Sequence, residues 1–426
     1  MSEYCQLRQI WGPLSVPEFT TVWRFLPSLG SRTVDDMVRR LRWVLRSDCC
    51  RFYARGFIAF LFALSVTASA APPDFQNCVP SFPLKGGWLG ADAAYSIPLP
   101  DGRVVWIFGD TLYGKTRSVK GTVPRMVRNS VGISTCHDGR WKIDYTIRKD
   151  PKGRHLDFFE AANHRYWYWA LDGFFVKDAL WVSLLRVRDK PVETSAAFAF
   201  ETCGADLAKV TNLKAPPLKW RIQYFELVPD GAHAYPSATT VVEGNYAYLF
   251  ALYEKEHRPM LLTRIPLEGL DAPKENLQFL SKDGTWQAGF DPPRARFVME
   301  PGASEMSVRY HPDMKKWVAV MMGPGFPSDK IVLRTAPSLI GPWTEGQVIY
   351  QIPDVQTNSP HYDRDTFCYA GKEHPEFEPP GKILFTYVCN TLTVSKLTTN
   401  LSIYFPKTAV VPLKNEVSDK GGDRLE

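Results

Sequence analysis

The chain has 426 residues, of which 45% are hydrophobic and 23% charged, and a formal net charge of +6 from 51 basic and 45 acidic side chains. That apolar fraction excludes a disordered chain, and 29 Gly with 34 Pro fall well short of a low-complexity composition. Charges so evenly mixed lack the basic stripe of a nucleic-acid binder, and the length suits two or three ordinary domains or one large all-β domain.

The N-terminal 70 residues read as a leader. Arg39, Arg40, Arg42, Arg46, Arg51 and Arg55 precede the apolar run Gly56 to Ala70, which ends in Ala68-Ser69-Ala70. A basic stretch, a short apolar run and a small-residue end are the parts of a secretory signal. The run is shorter than the ~20 residues of a spanning helix, so no membrane anchor is expected after cleavage. Met37 offers an alternative start. Nine Arg and five acidic residues lie within 1–70, so the remainder carries 42 basic and 40 acidic residues, a charge of +2. The expected product is a secreted or periplasmic monomer. It keeps Cys78, Cys136, Cys203, Cys368 and Cys389. Cys368 and Cys389 lie in aromatic-rich strand-like runs and are the expected disulfide; two buried core thiols would look the same.

Strand signals fill residues 71–426. In order they are Val104 to Phe108, Asn129 to Thr135, Trp141 to Ile147, Ala179 to Val187, Tyr246 to Leu252, Lys316 to Met322 and Gly381 to Val388, separated by Gly, Pro, Asn and Asp clusters. No long 3.6-residue period occurs. A loose repeat places units at about 88–148, 165–227, 233–289, 302–354 and 365–413. The fold class is all-β, and the expected architecture is a five-bladed β-propeller forming a single domain over 71–426, with a β-sandwich as the rival.

Five constellations can carry chemistry. Trp88-Leu89-Gly90-Ala91-Asp92 leads through Tyr95 to Gly109-Asp110-Thr111. Small neighbours let the Asp92 backbone approach a crowded centre, although Asp92 and Asp110 could each serve only as turn residues. Arg128 and Asn129 suit sugar hydroxyls or a carboxylate, or a structural ion pair. Tyr166-Trp167-Tyr168-Trp169 precedes Asp172-Gly173; such rings stack on sugars as well as fill cores, and Trp169 is the candidate stacking surface. Glu305 and Arg309, an even number of residues apart, share one strand face. Finally, Tyr369, Lys372, Glu373, His374 and Glu376 form a polar cluster ahead of Asn390, too dense to be buried without partners. No phosphate loop, nucleophile elbow, dinucleotide fingerprint or paired metal-ligand spacing is present, so no cofactor and no metal are expected. Ser281-Lys282-Asp283-Gly284-Thr285-Trp286 has a faint likeness to the Asp-box of sialidases, without its spacing.

Four segments together carry a resemblance: GADAAYSIPLPDG with WIFGDT, RMVRNSVGI, YWALDG, and YAGKEHPEF with ILFTYVCN. They resemble an exported bacterial family of five-bladed β-propellers, mostly uncharacterised, over about 85–413. That family is related to the arabinanase, xylosidase and invertase propellers of glycoside hydrolase families 43 and 32, and some of its members cleave arabinan-type polysaccharides. The resemblance implies three channel carboxylates, acting as general base, tuning aspartate and general acid. Asp92 matches the base and Asp172 the tuning residue. The third unit opens His233-Ala234-Tyr235-Pro236-Ser237 without a carboxylate, so the acid falls to Glu305 on the fourth, with His374 positioning or tuning. Calcium in the channel is compatible with the resemblance, but no oxygen-ligand loop is visible. The expected function is therefore hydrolysis of a polysaccharide or oligosaccharide, furanoside or arabinan-type favoured. Trp88, Tyr95, Asp110, Arg128, Asn129, Trp169, Arg309, Tyr369, Lys372, His374, Glu376 and Asn390 are the expected ligand contacts. The rival is a carbohydrate-binding propeller without catalysis.

Overall fold

The computed structural model describes residues 75–118, 125–190, 199–360 and 362–413, all within the unit Pro73–Glu426. The leader, the signal run and Met37 lie outside the described residues. Among the described residues no helix is long and apolar enough to cross a membrane.

Five antiparallel sheets follow one another along the chain. Blade 1 is built from Trp88–Pro98, Val104–Tyr113, Ser130–His137 and Arg140–Thr146, and blade 2 from Trp167–Val176, Ala179–Asp189, Phe200–Thr211 and Arg221–Val228. Blade 3 starts with Ala234–Glu243, Tyr246–Tyr253 and Met260–Pro266 and adds short outer strands. Blade 4 comprises Met306–His311, Lys316–Met322, Lys330–Ala336 and Gln347–Gln351, and blade 5 Thr366–Glu373, Lys382–Thr391 and Lys407–Pro412. The first strand of each blade contacts the first strand of the next, and that of blade 5 contacts that of blade 1. The ring closes, and the protein is a five-bladed β-propeller rather than a sandwich.

Alternation explains why these runs are strands. In each blade both sheet faces pack on a neighbour, so the second strands read as near-continuous apolar runs, such as Val104 to Phe108 and Ala179 to Leu185. Burial concentrates between blades. One cluster joins blades 1 to 3 through Tyr95, Tyr168, Trp181 and Leu249, and others join blades 3 and 4, 4 and 5, and 5 and 1. Trp106, Phe377 and Leu384 belong to the last of these. With the apolar groups spent between blades, the ring's centre is left to polar groups.

The expected unit starts agree with the first strands of the five blades. Unit 3 ends later than expected, because Phe297–Met299 returns to pair with Met260–Pro266. The Asp-box-like segment closes an outer hairpin of blade 3: Asp283 accepts from the Thr285 backbone (2.9 Å) and hydroxyl (2.7 Å), a turn device within the sheet. Cys368 and Cys389 face each other across blade 5 and are disulfide-bonded. A second disulfide, Cys78–Cys136, pins the segment ahead of blade 1 to its third strand, and Cys203 is a buried free thiol.

Candidate active site

The first strands of blades 1, 2, 3 and 5 are bulged where they line the channel, at Ala91 to Tyr95, Ala170 to Gly173, Pro236 to Thr239 and Tyr369 to Lys372. Ala93 (φ 61°), Ala94 (φ 63°) and Ala370 (φ 61°) lie in the left-handed region, where an alanine is strained. Bulges re-aim side chains, and here they turn Asp92, Asp172 and Lys372 inward.

Asp92 and Asp110 meet because the bulge places Asp92 opposite Gly109 and Asp110 on the next strand. A Cβ on Gly109 would stand 2.3 Å from Asp92 Oδ1, so only glycine admits the carboxylate there. Tyr369 donates to Asp92 Oδ2 (2.7 Å), and Asn390 supports the Tyr369 hydroxyl at 3.4 Å. Burial, reinforced by the charges of Asp110 and Glu305, holds Asp92 well above the usual carboxylate range. Burial also pushes Asp110 up to about 6, against the pull of Arg128 (3.5 Å) and a hydrogen bond from Trp169. The Arg128 guanidinium lies 4.3 Å over the Trp167 ring.

Glu305, just ahead of the first strand of blade 4, reaches the same cluster through Lys372. That ammonium is buried and donates to Glu305 Oε2 (3.2 Å), to Ala370 O (2.8 Å) and to Ala93 O. It also sits 4.4 Å over the Tyr95 ring, whose hydroxyl donates to Ala238 O (2.8 Å). Burial lowers the Lys372 pKa, while Glu305 and Asp92 oppose that shift. The cluster thus joins a carboxyl that burial holds toward its protonated form, Asp92, to a second carboxyl, Glu305, that contacts the Lys372 ammonium at 3.2 Å.

Asp172, expected as the tuning carboxylate, is fully enclosed. It is 0% exposed, and its oxygens accept from the Gly173 N–H (2.9 Å), the Thr239 hydroxyl (2.8 Å), the Thr240 N–H (2.8 Å) and Arg309 Nη2 (3.2 and 3.3 Å). Blades 2, 3 and 4 are tied through this one side chain. Arg309 Nη1 donates to the Thr239 hydroxyl, Thr240 O and Val308 O, so Arg309 is a strut of the channel wall.

Several expected ligand contacts are packing elements. Trp88 is 0% exposed and stacks on Tyr145 at 4.2 Å. Asn129 is 0% exposed and holds Phe159 N, Phe159 O and Tyr168 O, stitching blade 1 to blade 2. Tyr95 is buried, with its hydroxyl committed. His374 is 0% exposed between Ser96 Oγ (2.6 Å at Nδ1) and Thr386 Oγ1 (2.8 Å at Nε2), and burial holds it well below the usual histidine range, hence neutral. Trp88 and Tyr95 lie on the inner strand of blade 1, yet both are buried in the core; period-2 reading gives alternation without saying which face is the channel. Asp92, Asp110, Arg128, Trp169, Glu305, Tyr369 and Asn390 keep partial exposure and form the accessible site. Glu376, also partly exposed, lies beside Ser96 and Arg309, where burial pushes it up to about 7.

The sequence reading missed three features. Tyr404 is buried and donates to Asp110 O (3.2 Å) from a segment with no strand pattern. Arg117 is buried and donates to Leu397 O, Ile403 O and Asn400 O, holding that segment in place. His311, Glu373 and Glu378 form a buried polar group whose signal was the crowded Lys372-Glu373-His374-Pro375-Glu376 run.

Fold and site define a five-bladed β-propeller with carboxylates gathered at the channel. The chain belongs to the DUF5005 family, a domain of unknown function, whose model matches residues 81–409. Among solved structures it is similar to a candidate hydrolase of Bacteroides ovatus (15% identity, 76% of this chain and 86% of that one, TM-score 0.57). It also aligns with the alpha-L-arabinofuranosidase of Podospora anserina (12%, 79% and 96%, TM-score 0.42) and a GH43 enzyme of Xanthomonas citri (11%, 80% and 92%, TM-score 0.43). No curated protein matches the sequence. The five-bladed propeller expected from the sequence is the fold observed.

Proposed function

We propose that this protein is an exported glycoside hydrolase that cleaves a polysaccharide or oligosaccharide, with arabinan-type furanosides the favoured class. One observation carries the reading: Asp92, Asp110 and Glu305 are gathered around Lys372 and Tyr369, with Asp92 held well above the usual carboxylate range by burial and Glu305 paired with the Lys372 ammonium. The secretory leader read at 1–70 supports export, and the sequence resemblance supports the substrate class.

The electrostatics reverse the roles that the resemblance implied. Asp92 is the carboxyl that keeps its proton, so it serves as the general acid and protonates the glycosidic oxygen. Tyr369 occupies Oδ2, leaving Oδ1 to carry the proton. Glu305, ion-paired with Lys372, serves as the base or nucleophile on the opposite face of the sugar. Asp110 tunes Asp92 through its charge, and Arg128 and Trp169 in turn hold Asp110. Trp169 and Tyr369 offer aromatic faces to sugar C–H groups. Asp172 is a positioning residue.

A second reading, a carbohydrate-binding propeller without hydrolysis, is favoured by one feature. The first strand of blade 3, Ala234–Glu243, carries no carboxylate before its last residue. The test is a polysaccharide panel including arabinan, followed by reducing-sugar release and by calorimetry on the same samples. Release of sugars is the expected result. Calorimetric binding with no sugar released over days establishes the second reading instead.

A further inference from the structure

We propose that His311, Glu373 and Glu378 bind a divalent cation of the Zn2+ class that joins blade 4 to blade 5 at the end of the channel opposite Asp92 and Glu305. The inference is independent of the proposed hydrolysis.

His311 is the last residue of the first strand of blade 4, and Glu373 the last of the first strand of blade 5; Glu378 follows the turn Pro375–Phe377. Glu305 stands just ahead of the strand that ends at His311, and six residues at about 3.3 Å each separate the two ends by roughly 20 Å. One imidazole nitrogen and one oxygen from each glutamate lie within 4.8 Å of one another. His311 Nε2 is 3.0 Å from Glu373 Oε2. The Glu373 backbone N–H donates to Ser307 Oγ (2.9 Å), which fixes this strand end against blade 4. Glu378 Oε1 takes the Leu384 N–H (3.1 Å), leaving its other oxygen for a ligand.

The second, independent observation is Glu373 Oε1. The residue is 2% exposed, and this oxygen is buried with no hydrogen-bond partner. A buried carboxylate oxygen without a donor is costly, and a cation supplies what is missing. The surrounding charges do not. Arg309 acts on Glu373 only from a distance, because its guanidinium is spent on Asp172, Thr239 and Thr240. Asp313 adds further negative charge near His311. The hydrogen bonds of the group are His311 Nε2 with Glu373 Oε2 and the Leu384 N–H on Glu378 Oε1, and neither reaches Glu373 Oε1. A nitrogen with two carboxylate oxygens suits Zn2+ and its first-row neighbours, whereas Ca2+ and Mg2+ favour all-oxygen shells.

The test uses the full chain dialysed against a chelator. Zn2+ alone is added, binding is followed by calorimetry, metal content by elemental analysis and stability by thermal melting. The expected result is one Zn2+ per chain and a melting temperature raised by several degrees, with Ca2+ and Mg2+ without that effect. Glu373→Gln and His311→Gln each weaken Zn2+ binding at least about 10-fold, while Asp92→Asn retains one equivalent. The wild-type titration needs no variant to fold. Absence of stoichiometric binding with an unmoved melting temperature overturns the proposal. So does tighter binding of Ca2+ than Zn2+, or one equivalent of Zn2+ surviving in both Glu373→Gln and His311→Gln.

Discussion

Asp172→Asn is the substitution that best isolates what holds the channel together. Oδ2 of Asp172 accepts from the Thr239 hydroxyl, the Thr240 N–H and Arg309, while Oδ1 accepts from the Gly173 N–H and Arg309. An asparagine has one oxygen. With that oxygen at the Oδ2 position, its NH2 group meets the Gly173 N–H and the Arg309 guanidinium, donor against donor. With the amide flipped, it meets Thr240 instead. Either way Arg309, with a side chain only 23% exposed, loses its counter-charge. Removing one partner of such a pair costs about 3–5 kcal/mol, because the other charge stays buried. Urea unfolding of Asp172→Asn, Arg309→Met and the double variant measures it. Each single variant is expected to lose about 3 kcal/mol or more, and the double variant clearly less than their sum. A loss below about 1 kcal/mol for Asp172→Asn, or strict additivity, refutes the reasoning that this tie clamps blades 2, 3 and 4.

Gly109→Ala drives a Cβ into Asp92 Oδ1 and displaces that carboxyl, so hydrolysis is expected to fall about 100-fold with much of the stability retained; unchanged turnover contradicts the placement of Asp92. Asp110, raised to about 6 by burial, binds its proton more tightly folded than unfolded, so its contribution to stability is present at pH below about 4 and lost as pH rises to 6. Relative to wild type, Asp110→Asn is therefore expected to gain up to about 3 kcal/mol between pH 4 and pH 7 in urea unfolding, and no gain refutes the shift. The two disulfides close loops of different length, with sequence separations of 58 and 21. Replacing the Cys78–Cys136 pair by serines is expected to cost about 4 kcal/mol and the Cys368–Cys389 pair about 3, checked by the same unfolding assay.

Much of this fold was legible because each blade repeats one pattern, and apolar second strands such as Val104 to Phe108 report burial on both faces. Asp92 was legible from its small neighbours, and Glu305 with Arg309 from their even spacing; both do reach the channel, at different depths. What was not legible depends on bulges and on contacts between distant residues. The bulge turns Asp172 inward, but its partners Thr239, Thr240 and Arg309 come from other blades, so its full burial as a tie was not visible locally. Nothing local tells His374 that Ser96, 278 residues away, will take its Nδ1. Lys372 was expected to contact a ligand, yet it bridges Glu305 and the bulged backbone of blade 1. The Cys78–Cys136 bridge was hidden because Cys78 lies in a segment without periodicity.

The central claim is that Asp92 delivers the proton and Glu305 acts from the other face. Leaving-group dependence tests it most directly. An activated aryl glycoside departs without protonation, whereas a polysaccharide needs the acid. Asp92→Asn is expected to lose about 100-fold or more on the polysaccharide and far less on the aryl glycoside, while Glu305→Gln loses comparably on both. The opposite pattern, with Glu305→Gln rescued by the activated substrate and Asp92→Asn inactive on both, contradicts the assignment.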